Sequence, residues 1–181
     1  PLKLKTGLSR KDLDEMRSGW DLILDVDCKF IEFSRITAQL LIDALHFHNV
    51  HSVGLKFSGN RGFHIAVPFT SFPAVVNAKK TQLLFPEGPR MIAEYLSYMI
   101  KDHLAEQMLA ISTPKEMMQA AGIPEEKLMV NNKFDPFAMV DVDTILISSR
   151  HLFRSPYSIN EKSGMVSIVV QPDKLKQFRP L

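Results

Sequence analysis

One cysteine, Cys28, in 181 residues excludes an internal disulfide and any thiolate-rich zinc site built within the chain. So few thiols suit a reducing compartment, and a cytoplasmic location is expected. No uninterrupted apolar run approaches the roughly 18 residues of a membrane-spanning helix, so no membrane partner is expected. Internal repeats and low-complexity tracts are also missing. Neither sign of charge dominates: 22 Lys and Arg stand against 20 Asp and Glu. That weak basicity permits a nucleic-acid partner without pointing to one. The chain opens on Pro1 without a charged-then-apolar stretch. The expectation is a trimmed chain in which residues 1–19 are an N-terminal arm or the remnant of a longer segment.

What is present is ordinary for a soluble globular protein, 45% hydrophobic and 23% charged residues. The length suffices for one sizeable core, so residues 1–181 are expected to form a single domain. Trp20 to Asp27 reads as a buried strand running into acids. Ser34 is the expected N-cap of a helix whose apolar face carries Ile36, Leu40, Leu41, Ala44, Leu45 and Phe47. Two further strands, His51–Phe57 and Phe63–Val67, flank a glycine-rich turn. Residues 70–88 read as an irregular connection, with Lys79 and Lys80 in a solvated loop. Pro89 is the expected first residue of a long helix with a stripe from Met91 to Leu104. Thr113-Pro114-Lys115-Glu116 has the form of a capping box, and that helix should stop near Gly122. Met139–Ser148 is β-rich, and Met165–Val170 reads as a last strand. Strands interleaved with helices predict a sheet backed by helices.

Three features carry chemistry. Asp25 and Asp27, two apart on a strand, project from the same face, where their oxygens can share hard cations such as Mg²⁺ or Mn²⁺. The plain alternative is a solvated strand end. Ser58-Gly59-Asn60-Arg61-Gly62-Phe63-His64 combines glycines that let backbone N–H groups approach phosphate with Arg61 and His64 as donors. The plain alternative there is a glycine-rich hairpin. It is not a P-loop, because no Gly-Lys-Ser/Thr follows. Asp141 and Asp143 end another strand ahead of Arg150, Arg154 and Lys162.

In this order the three features resemble the archaeo-eukaryotic primase superfamily, specifically the small catalytic subunit of DNA primase and its archaeal relatives. Asp25-Val26-Asp27 is similar to the family's first motif. Ser58 to His64 is similar to its second, S-G-x-x-G-x-H. His151-Leu152-Phe153-Arg154-Ser155-Pro156-Tyr157-Ser158-Ile159-Asn160 and the following Lys162 and Gly164 are similar to H-L-x-[KR]-x-P-[FY]-S-x-H-x-K-x-G. The resemblance covers roughly residues 20–170.

The resemblance implies an α/β (α+β) fold, a primase-type catalytic core with a mixed, RNA-recognition-motif-like (RRM-like) sheet and flanking helices. It implies a template-dependent nucleotidyltransferase adding NTPs or dNTPs to a nucleic-acid strand with two divalent ions, Mg²⁺ or Mn²⁺. Asp25, Asp27 and either Asp143 or Asp141 would hold them. Asp143 is preferred because Thr144-Ile145-Leu146-Ile147 continues directly from it. Ser58, Gly59, Arg61, His64, Arg154 and Asn160 would hold the nucleotide. Asn160 stands where the family usually has His, and donates a hydrogen bond without charge. The family's usual Cys/His zinc element cannot be built from one cysteine, so no structural zinc is expected. Expected partners are single-stranded or primed DNA and a primase large subunit or a repair ligase, at the nucleoid. Two other classes are weighed: a non-catalytic nucleotide- or nucleic-acid-binding relative, and a phosphatase using Asp25 as nucleophile. Cys28-Lys29 after Asp27 and the want of a clear later acidic pair argue against the phosphatase.

Overall fold

The computed structural model of the chain describes residues 5–143 and 153–180. Elements in chain order are α1 (Arg10–Glu15), β1 (Leu22–Cys28), α2 (Ile31–Phe47), β2 (Gly54–Phe57), β3 (Phe63–Val67), β4 (Val75–Val76) and β5 (Lys79–Lys80). They continue with α3 (Glu87–Leu109), α4 (Pro114–Ala121), α5 (Glu125–Leu128), β6 (Met129–Val130), β7 (Lys133–Phe134), β8 (Val140–Asp143) and β9 (Ile168–Val169). The main sheet has the order β8-β1-β3-β2-β9. β4–β5 and β6–β7 are small separate hairpins.

The expected α+β core is present: a five-stranded sheet with helices against one face. A mixed sheet would carry parallel pairs, but every pairing among the described residues is antiparallel. The reason lies in the connections. β2 and β3 are joined by a tight turn, and each long helix returns the chain antiparallel to its neighbour, a split β-α-β arrangement.

Register explains why one face is apolar. Leu24 pairs with Ile65, which pairs with Leu55; Val26 pairs with Phe63, which pairs with Phe57. All six are buried: α2 packs on β1 and β3, α3 reaches β1, and the Phe178 ring packs against Phe57 and Phe63. α2 presents Phe33, Ala38, Leu41, Ile42 and Leu45; α3 presents Ala93, Leu96, Ile100, Leu104 and Met108, a helical stripe. Phe47, Met91 and Tyr95, expected on core faces, are exposed instead, because the stripes run slightly differently around each helix.

Other local expectations also shift. Ser34 does not cap α2, which starts at Ile31; it is buried in the first turn, where its Oγ donates to the Arg61 carbonyl at 2.7 Å. Pro89 is the third residue of α3 and is buried. The Thr113–Glu116 capping box and the left-handed Gly122 cap of α4 are as expected. A second capping box, Ser9 with Asp12, starts α1 inside the expected N-terminal arm. The 70–88 connection contains the β4–β5 hairpin, turned by Asn77 and Ala78 at φ 47° and 61°. Among the described residues no helix is long and apolar enough to cross a membrane.

Candidate active site

The open face of the sheet carries a polar row. On one level Lys56 (β2), His64 (β3), Asp25 (β1) and Asp143 (β8) are direct cross-strand partners. Two residues along, Asp27 faces Asp141. Directly opposed residues and i, i+2 positions share a face, so four carboxylates, an imidazole and an ammonium all stand on the side away from the helices. A one-residue slip would bury them, so the packing of Leu24 and Val26 fixes where the acids point.

His64 Nε2 lies 3.2 Å from Asp25 Oδ1, while His64 Nδ1 is buried and has no hydrogen-bond partner among the described residues. Partial desolvation, then the charge of Asp25, holds the Asp27 carboxyl above its ordinary range. Desolvation and the charges of Asp143 and Asp25 do the same to Asp141. Such a set of carboxylate oxygens suits a hard divalent cation, which would relieve this repulsion. Asp25, Asp27, Asp141 and Asp143 could therefore hold Mg²⁺ or Mn²⁺. Among the described residues no three acidic, histidine or cysteine side chains close into a preformed ligand cluster.

The turn between β2 and β3 is organised by Ser58. Its Oγ accepts from the amides of Asn60 (3.3 Å) and Gly62 (3.2 Å), which leaves its O–H free in direction. Gly59 has φ +83°, and a Cβ there would come within 3.1 Å of Asn160 and Met165. Gly59 is thus favoured by its left-handed φ in the turn and packs closely against a second loop. Arg61 is exposed and is not among the residues lining the cleft described next.

That second loop, residues 153–167, folds over the turn. Asn160, 6% exposed, donates from Nδ2 to the Ser58 carbonyl at 3.4 Å and accepts from the Lys162 amide at 3.0 Å. Ser163 Oγ donates to the Gly59 carbonyl, and Ser167 Oγ to the Phe57 carbonyl at 2.8 Å. Arg154 donates to the Ile159 carbonyl at 2.9 Å and to Glu161 at 2.7 Å. Between loop, turn and strand ends lies an open cleft of about 490 Å³, lined by Asp25, Asp27, Ser58, Asn60, His64 and Phe153 and closed by Arg154 and residues 160–162.

Sequence positions far apart thus meet at one cleft: Asp25, Asp27, Ser58, His64, Arg154 and Asn160 line it. Gly59 lies beneath the second loop, and Asp141 and Asp143 stand on the adjoining strand. Arg150, His151, Leu152 and the run Thr144–Ile147 lie outside the described residues. Sequence reasoning missed Lys56, Glu161 and the position of Phe153. Lys56 was legible in one respect: it lies two before Ser58, on a strand, and so shares its face.

A family model described as DNA primase small subunit matches residues 11–172. The chain is 24% identical over 209 aligned positions to the DNA primase small subunit PriS of Archaeoglobus fulgidus (strain ATCC 49558 / DSM 4304 / JCM 9628 / NBRC 100126 / VC-16). The alignment takes in 93% of this chain, which spans 60% of the length of that curated relative.

Proposed function

The chain belongs to the DNA primase small subunit family, and from that premise we propose that it catalyses template-directed nucleotidyl transfer at the cleft between Asp25 and Arg154. The observation that carries this reading is the convergence of Asp25 and Asp27 with Ser58, Asn60 and His64 of the Ser58–His64 turn on a single cleft. The split β-α-β sheet also supports an RRM-like description of the core.

Asp25, Asp27 and Asp143 would hold two divalent ions, Mg²⁺ or Mn²⁺, with Asp141 the alternative third ligand. Asp143 is favoured because it stands in one row with Asp25 and His64. When bound, the ions would offset phosphate charge and lower the pKa of the attacking hydroxyl. Beside the acids, the Ser58 hydroxyl, the Gly59 backbone, His64 and Arg154 would donate to a triphosphate, with Asn160 and Arg61 as outer contacts. His64 fits because it lines the cleft and its Nδ1 has no hydrogen-bond partner among the described residues. The reaction joins a 3′-oxygen to the α-phosphorus of an NTP or dNTP, breaks the bond to the bridging oxygen and releases pyrophosphate. The protein contributes positioning and charge neutralisation. Its substrates would be single-stranded or primed DNA, and a primase large subunit or a repair ligase its protein partner.

The test is a gel-resolved synthesis assay on single-stranded DNA, with and without a primer, in Mg²⁺ or Mn²⁺, with NTPs or dNTPs. Products from the wild type that vanish in a folded Asp25→Ala variant support the reading. Undiminished synthesis by that variant refutes the role of Asp25. Nucleotide binding without synthesis on any template would point instead to a non-catalytic subunit.

A further inference from the structure

Lys56 is a charged residue in a place where charge is costly. It is 5% exposed, on the open face of the sheet, beside His64 and one strand removed from Asp25. A buried ammonium persists only if its donors are used. Here Nζ donates to the Arg154 carbonyl and sits 3.8 Å from the Phe153 ring centroid. The Phe153 ring lies in turn 4.8 Å from the His64 ring. Burial pushes the Lys56 ammonium down to about 8, with Asp25 opposing that shift.

Among the described residues, two sets of polar contacts therefore tie the 153–163 loop to β2 and the turn that follows it. One is Lys56 to Arg154. The other is Asn160 and Ser163 to the carbonyls of Ser58 and Gly59. Lys56 and Ser58 lie two apart on the same chain segment, so both ties pull the loop against one edge of the cleft. Arg154 bridges them through its own bond to the Ile159 carbonyl. If the first tie is lost, the Arg154 end is released while the Asn160 end stays anchored.

We propose that Lys56 is a positioning residue that clamps the Phe153–Arg154 segment so that the Arg154 guanidinium meets the phosphates of a bound nucleotide. This rests on the nucleotidyl-transfer reading given above. Lys56 itself touches no substrate.

The test compares Lys56→Met, Arg154→Ala and the double variant for ATP and dATP in the synthesis assay. Each single variant should raise the nucleotide KM about tenfold, as expected for losing one charge-assisted contact, with kcat changing much less. The double variant should be no worse than Arg154→Ala, because both act through one group. Additive losses, or a fall in kcat at unchanged KM, overturn the proposal. Should Lys56→Met fail to fold, the half-open Phe153→Leu variant decides: a smaller KM rise supports the clamp, and an unchanged KM overturns it. Hydrogen exchange reads the clamp without turnover. Faster exchange of amides in 153–158 but not in β3 is expected in Lys56→Met, and unchanged exchange overturns it. A wild type that neither binds nor incorporates nucleotide refutes the functional reading and the phosphate role with it, while the exchange comparison still decides the clamp.

Discussion

Asp27 on β1 and Asp141 on β8 face each other across an antiparallel ladder, and both carboxyls are held above their ordinary range. For Asp27 the causes are partial desolvation, then Asp25, with Asp141 contributing less. A carboxyl raised in the folded state binds its proton more tightly there than in the unfolded chain. Its ionisation therefore removes stability as pH rises from about 3.8 through the raised value, and the loss is complete above it. Asp27→Asn should raise the melting temperature of the metal-free protein at pH 7–8 and flatten its decline above pH 4. Because Asp27 is exposed, water screens most of this effect and the gain should be small. Thermal melts in EDTA check this; a variant that melts at or below the wild type at pH 7–8 contradicts it.

Arg154 is held by Glu161 at 2.7 Å, and Glu161 lies at the mouth of the cleft. A triphosphate would have to compete with that carboxylate for the guanidinium. The backbone amide of Glu161 itself, then Arg154, holds the Glu161 carboxyl below its ordinary range, so it is ionised at any working pH. Glu161→Gln should lower the nucleotide KM roughly 2–5-fold, the scale of an exposed ion pair. Steady-state kinetics with varied nucleotide would show it. An unchanged or higher KM would mean that Glu161 orders Arg154 rather than competing for it.

Much of this site was legible before the fold was known. The alternation Leu22, Leu24, Val26 against Asp25 and Asp27 states which way each side chain points, since strands have a period of two. The Ser58–His64 motif and the 153–164 segment announce themselves by length and composition. Other features depend on contacts that spacing does not encode. Ser34 looked like a cap because caps are local, yet its Oγ reaches Arg61, 27 residues on. Asn160 looked like a nucleotide contact; its side chain also latches two loops 102 residues apart. Lys56 looked like any strand lysine until the Arg154 carbonyl and the Phe153 ring closed over it.

The depressed Lys56 ammonium makes its own prediction, with the opposite sign to that of the acids. Burial is the main cause, followed by the opposing pull of Asp25 and then the push of Arg154. Between about 8 and 10.5 the unfolded chain holds this proton more often than the folded one. Stability contributed by Lys56 should therefore rise across that window as the buried charge is relieved. Urea titrations of the wild type and Lys56→Met from pH 7 to 10.5 isolate the effect as a difference. The wild type should gain on the variant over that range. A constant difference would show that the ammonium is not desolvated.

Gly62 joins the turn to β3 where β1 passes closest. A Cβ there would lie 2.3 Å from the Val26 carbonyl oxygen and 2.9 Å from Asp27 Oδ1. The first of these is backbone and cannot swing aside, so β1 and β3 would have to part at the level of Asp27. Gly62→Ala should cost about 1–3 kcal/mol, as overpacking does, measured by urea unfolding. It should also lower synthesis, because the carboxylate it displaces belongs to the acidic row. Gly122→Ala is the control. Gly122 caps α4 at φ +71° with nothing within 4 Å, so alanine there meets backbone strain but no neighbour. Loss of stability in both variants with loss of synthesis only in Gly62→Ala would tie activity to the spacing between β1 and β3. Full synthesis by Gly62→Ala would mean that the position of Asp27 tolerates movement.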